Sequence, residues 1–323
     1  MKSFKYIILS ALILLSAHIS AQNMLFESPV RLNANLNSNA EESYPMLSRD
    51  GKHLYFARIF HDDNTGGKTS GFDIWVSKRA DTNVWTVAEN VSEPLNNKLN
   101  NFIVGFSKNG ETAYLLNTYK GTKKSFLSKS VKVEGEWTDP EWVAMPDDLN
   151  IDQNYLGLYM HPNEKILLLS MKKSDSFGQE DLYVMTKDSL GNWQKPINLG
   201  STINTNGYEI APFLSDDGSK LYFSSNGHGG LGEADILMAE RLYDTWNVWT
   251  NPVNLGKGIN SPKFDAYFNM NEEGDAFFVS NRDSKFSDIF STKVITVDSV
   301  QLKIQNILKD AERLIDTSND SIN

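Results

Sequence analysis

One motif occurs five times in this chain, and it leaves few folds open. An apolar run, a turn built on Asp or Asn, and a second, alternating apolar run make up each copy. The copies are "YPMLSRDGKHLYFA", "VGFSKNGETAYLL", "LYMHPNEKILLLS", "PFLSDDGSKLYFSS" and "YFNMNEEGDAFFVS". With Gly51, Gly110, Asn163, Gly218 and Gly274 as the turn position, they stand 59, 53, 55 and 56 residues apart. A second block follows each copy: "FDIWVSKR", "SFLSKS", "EDLYVMTK", "ADILMAER" and "SDIFSTK". A third block carries Trp, at Trp85, Trp137, Trp193 and Trp249, as in "WQKPINLGSTIN". The fifth copy lacks it, but "LFESPVRLNANLNS" near the N-terminus matches it, with Phe26 near the Trp position.

Each repeat therefore offers four short runs of strand composition with period-two alternation, divided by Gly, Asn and Asp. A lone four-stranded sheet buries little. Sheets packed face to face in a ring bury both faces and leave only short edges. The reading is all-β: a five-bladed β-propeller of four-stranded blades, closed by the N-terminal strand, with a short C-terminal helix. The expected domains are a signal peptide at 1–21, the propeller at 22–295, and a helix with a polar tail at 296–323.

The pattern "YE-x-x-P-x-L-S-x-DG-x-x-LYFSS" with the downstream "W-x-x-P-x-NLG-x-x-IN" resembles the WD40-like propeller repeats of the TolB type, over roughly residues 24–295. It is strong in repeats one, four and five. Ser125 replaces the usual Asp in repeat two, and Asn163 the turn Gly in repeat three. The resemblance implies an exported bacterial envelope protein, here without an OmpA-like domain.

Composition limits the partners. Lys2, Lys5 and "YIILSALILLSA" form an export signal with a cleavage point at Ala21–Gln22. Its removal takes away two lysines and no acid, so the net charge moves from −10 to −12. Such a chain lacks the basic face that nucleic acid requires, and no later run reaches transmembrane length. There is no Cys, hence no disulfide and no lipobox. The protein is expected to be exported, either periplasmic or associated with the outer membrane or the cell exterior. Val297, Val300, Ile304, Ile307, Ala311 and Leu314 mark an amphipathic helix that could pack on the propeller or support an oligomer.

Catalytic motifs are few. The histidines are scattered, and no G-x-S-x-G elbow occurs. "GHGGLGE" at 227–233 lacks the ending of a phosphate loop. "DDNTGG" at 62–67 is the nearest approach to a calcium loop, with Gly at the third ligand position and no distal Glu. No cofactor is expected beyond that option. The recurring Asp73, Asp181, Asp235 and Asp288 read as turn-binding groups, and the recurring Trp residues as packing.

Nine residues before each turn position stand Glu42, Asn101, Asn154, Glu209 and Asp265, all carboxylates or amides. At the start of the innermost strands they form a ring at the channel mouth. Either each bonds backbone of the neighbouring blade's loop, or the ring holds a cation or polyol. The loops on the same face carry Lys123, Lys124, Lys172, Lys173 and His228. The first functional expectation is a non-enzymatic scaffold that holds a protein partner at the envelope. The alternative is a carbohydrate-active protein, a lyase, hydrolase or glycan-binding module, using the channel-mouth acids.

Overall fold

The computed structural model describes residues 25–81, 84–116, 126–146, 149, 156–296 and 300. The expected signal peptide and nearly all of the C-terminal helix lie outside these residues. The chain divides into two compact units, residues 28–292 and residues 1–27 with 293–323.

The larger unit is the five-bladed propeller. Its blades start on the inner strands β3 (Glu41–Leu47), β8 (Phe102–Phe106), β13 (Gly157–Met160), β17 (Glu209–Leu214) and β21 (Asp265–Met270). Each pairs antiparallel with a second strand, β4 (His53–Ile59), β9 (Thr112–Leu116), β14 (Ile166–Met171), β18 (Lys220–Ser225) or β22 (Asp275–Ser280). The third strands are β5 (Asp73–Asp81), β10 (Leu127–Val133), β15 (Asp181–Thr186), β19 (Asp235–Glu240) and β23 (Asp288–Ile295). Short outer strands follow, for example β16 (Ile197–Asn198) and β20 (Val253–Asn254). In the first two blades the outer position is split into two short pieces, β6 (Val84–Trp85) with β7 (Glu89–Asn90), and β11 (Glu136–Trp137) with β12 (Glu141–Trp142). The inner strands contact one another in the order β3, β8, β13, β17, β21 and back to β3.

The last blade takes its outer strand from the front of the chain. In β2 (Val30–Arg31), Val30 pairs with Ser291 and Arg31 with Phe290, and the Arg31 guanidinium grips Asp288 through two bonds of 2.9 Å. In the smaller unit, Leu25 and Phe26 of β1 pair with Ile295 and Val294.

The third sequence block earns its pattern through one repeated contact. Asn37, Asn96, Asn204 and Asn260 each use the side-chain amide as a clamp on a third strand. Its oxygen accepts the N–H of Ile289, Ile74, Leu182 or Ile236, and its NH₂ donates to the same residue's C=O. The preceding Asp binds the loop that leads into the strand: Thr65, Phe177 and Leu231 donate N–H to Asp73, Asp181 and Asp235. The Trp residues pack, as expected. Arg79, Lys132 and Lys187 each lie 4.9 Å from the ring centre of Trp85, Trp137 and Trp193. Trp85 also meets Phe277 of the neighbouring blade edge-on at 6.0 Å.

One alignment changes. Glu164, not Asn163, occupies the left-handed position of the third turn, with φ 59°. Its N–H donates to His161 O, as Gly51 does to Ser48 O and Gly218 to Ser215 O. Asn163 takes the place of the turn Asp, its side chain accepting from Lys165 N–H. Among the described residues, no helix is long and apolar enough to cross a membrane. The helix found there, α1 (Gly256–Ile259), is one turn long.

Candidate functional site

The channel mouth is shaped by irregularities in the inner strands. Pairing slips between Ser43 and Met46, Ile103 and Gly105, Ile210 and Phe213, and Ala266 and Asn269. Three of these bulges place a side-chain-bearing residue at positive φ: Tyr44 at 49°, Ala211 at 51° and Tyr267 at 57°. A bulge re-aims a side chain, and here it brings two tyrosines together. The rings of Tyr44 and Tyr267 are 4.3 Å apart, Tyr44 lies 4.7 Å from Phe102, and Phe102 lies 4.9 Å from Phe72. Burial pushes both phenols up, Tyr267 to about 12, so both stay neutral.

Above this aromatic floor lies a cleft of about 650 Å³. Its wall includes Glu41, Ser43, Tyr44, Phe72, Lys98, Phe102, Phe264, Tyr267 and Ser287. Glu41 is the one carboxylate among the described lining residues. It is half-buried, and burial raises its pKa above the ordinary value. Ser43, on the same face of β3 as Glu41, is 4% exposed, and its Oγ has no hydrogen-bond partner among the described residues. A buried hydroxyl without a partner is costly in a closed fold. Ser43 lies along the cleft wall, with its Oγ turned into the protein and closed off from solvent.

The sequence-derived ring lies on the other side of the same strands. Glu42, Asn101, Glu209 and Asp265 are fully buried, and none lines the cleft. Glu42 accepts from Ser38 Oγ at 2.7 Å and from Arg58 Nε at 2.8 Å. Glu209 accepts from Thr205 Oγ1 at 2.6 Å and Ser225 Oγ at 2.8 Å, and Asp265 from Ser261 Oγ at 2.8 Å and Arg282 Nη2 at 2.6 Å. Asn101 donates to Leu99 O at 2.7 Å and Asn97 O at 2.9 Å. All four tie down the segment that enters their own inner strand. Asn154 lies outside the described residues. Burial pushes the Glu42 carboxyl up to about 7, against the opposing pull of Arg58. Arg58 is itself stacked 4.2 Å from the Trp75 ring.

The loop-face residues are dispersed. Lys123 and Lys124 lie outside the described residues. Lys172 is exposed, and Lys173 Nζ sits 5.5 Å from the Tyr183 ring. His228 is half-buried, with Nε2 2.7 Å from Ile203 O. None of these three lines the cleft. In the 62–67 loop, the Asn64 amide donates to Arg58 O and accepts from Trp75 Nε1, which organises the loop internally.

The counted positions lie at the starts of the inner strands but on the face away from the cleft. Residues ten and eight before the turn position line the cleft: Glu41 and Ser43, Asn100 and Phe102, and Phe264. Residues nine before it point the other way. A shift of one residue exchanges the two faces of a strand. Because the inner strands are buried on both sides, apolar alternation gave no signal to choose between them.

No protein-family model matches this chain, and comparison with curated proteins finds no match. Solved structures do match. An endo-arabinase from Bacteroides thetaiotaomicron VPI-5482 is 15% identical, with TM-score 0.50, over 86% of this chain and 99% of its own. The catalytic domain of a Coprinopsis cinerea GH62 α-L-arabinofuranosidase is 13% identical, with TM-score 0.54, over 84% and 97%. These likenesses show the five-bladed fold. They also correct two expectations. The structural neighbours are propellers of the glycoside hydrolase type and not TolB-type or WD40-like proteins. The non-enzymatic envelope scaffold rested on that resemblance and falls with it, since the neighbours are described as an endo-arabinase and an arabinofuranosidase and not as scaffolds.

Proposed function

We propose that this protein is a carbohydrate-active enzyme that holds a glycan in the channel-mouth cleft, where Glu41 protonates the departing glycosidic oxygen, water bonds to the anomeric carbon, and the proton that water releases restores the Glu41 acid. The observation that carries the reading is a cleft of about 650 Å³ that sets the half-buried Glu41 carboxyl above an aromatic floor. Sugars present an apolar C–H face and a rim of hydroxyls. Tyr44, Phe72 and Phe102 suit the first, and Glu41 and the exposed Lys98 the second. Burial raises the Glu41 pKa above its ordinary value, the direction a general acid requires. The likeness to arabinan-acting propellers makes arabinofuranose-containing glycans the first substrates to try. The N-terminal apolar segment supports export, and with it an extracytoplasmic glycan.

The test is release of reducing sugar from arabinan, xylan, galactan and pectin by the wild type and by Glu41→Gln. The substitution keeps shape and removes the proton donor. It should lower turnover at least ~100-fold while glycan binding persists. Activity should also decline as pH rises through the raised Glu41 pKa, because the acid form is lost. Turnover unaffected by Glu41→Gln would refute the assignment of the donor. No binding or cleavage of any glycan would refute the reading itself.

A further inference from the structure

We propose that Phe60 and Phe286 form a second sugar-binding platform beside the cleft, so that the ligand is an oligosaccharide or polysaccharide and not a single sugar. This rests on the glycan reading of the cleft and extends it. The platform's position follows from pairing. Glu41 is the register partner of Ile59, and Phe60 is the next residue. Ser287 lines the cleft and accepts the Glu42 N–H at 3.0 Å, and Phe286 is the residue before it. The two phenylalanines thus adjoin the part of the cleft that carries Glu41. Their ring centres are 5.7 Å apart.

Two further features set Phe60 apart. Its φ is 65°, a conformation that a side chain resists and that Gly or Asn adopts at lower cost. Its ring is also 42% exposed. A loop that needed only to turn here would be better served by Gly, and a Phe that served only the core would be buried. A strained backbone that presents an exposed aromatic points to a functional role. Lys285 Nζ lies over the Phe286 ring, 4.9 Å from its centre, which leaves Phe60 as the more open ring and sets a donor beside it. The two rings, inclined by 39°, offer apolar contact to a sugar with an ammonium donor beside them, and their place next to Ile59 and Ser287 makes the occupant the next unit of the same chain.

The experiment measures affinity of the full chain for arabino-, xylo- and galacto-oligosaccharide ladders of one to six units. Wild type should bind longer members of one ladder more tightly. Phe60→Asn, which suits a positive φ, should fold at least as stably yet lose about five- to tenfold of that gain. Its monosaccharide affinity should stay unchanged, and Phe60→Tyr should restore the gain. Equal affinities of Phe60→Asn and wild type along the ladder would overturn the platform while leaving the cleft reading intact. So would a uniform loss at every length, or a change of oligomeric state on sedimentation without an effect on length dependence. Failure of wild type to bind any ladder would overturn both.

Discussion

Glu42 illustrates how far one neighbouring position changes a carboxyl group's role. It sits one residue from the cleft-lining Glu41, on the opposite face of β3, fully buried against Arg58. Desolvation outweighs the ion pair, and its pKa rises to about 7 from an ordinary 4.5. The fold therefore favours the protonated form. Its contribution to stability is complete below about pH 4.5 and is lost as pH rises through about 7. Between pH 5 and pH 8 the wild type should lose on the order of 3 kcal/mol more stability than Glu42→Gln. Denaturant unfolding of both proteins across that range measures the difference. Parallel curves would show that Glu42 stays ionised throughout.

At the scale of elements, the loops that join second to third strands are anchored to the next blade. Gly232 shows the reason for one recurring glycine. A Cβ there would stand 2.4 Å from both Ser261 O and Lys263 O. Gly178 faces Gly207 O and Thr205 O in the same way, and Gly71 faces Leu99 O. These glycines let the loop of one blade rest on the backbone that enters the next. Gly232→Ala should therefore cost roughly 1–3 kcal/mol by forcing two backbones apart. Gly258→Ala, with nothing within 4 Å and no positive φ, is the control and should be nearly neutral. Thermal melts that rank the two variants equally would show that the loop can move away without cost.

Over the whole propeller, stability depends on the ring being closed. Inner strands contact neighbours on both sides around the circle, and β2 covers the exposed flank of β23. Removing the chain through residue 34 would uncover that edge and strip Asp288 of Arg31. The expected result is a fall in Tm of roughly 5 °C or more, since 1 kcal/mol moves Tm by about 2–4 °C in a domain of this size. Calorimetry of the truncated chain supplies the check, and an unchanged Tm would mean that the ring holds without its N-terminal strand.

The sequence by itself determined the architecture. Turn residues and alternating apolar runs are local signals, and five phased copies of them fix the number of blades. The displaced third block at the N-terminus likewise announced which strand completes the last blade. The site was decided only by tertiary structure. Glu41 and Glu42 are adjacent and of one type, and only the bulge at Tyr44 and the neighbouring blades determine which one meets the cleft. Likewise Phe60 reads as one more apolar residue at a strand end, until the chain places it at positive φ beside Phe286. Repeats encode what every blade shares, whereas a binding site is made where blades differ and meet, and that meeting depends on contacts between residues far apart in the chain.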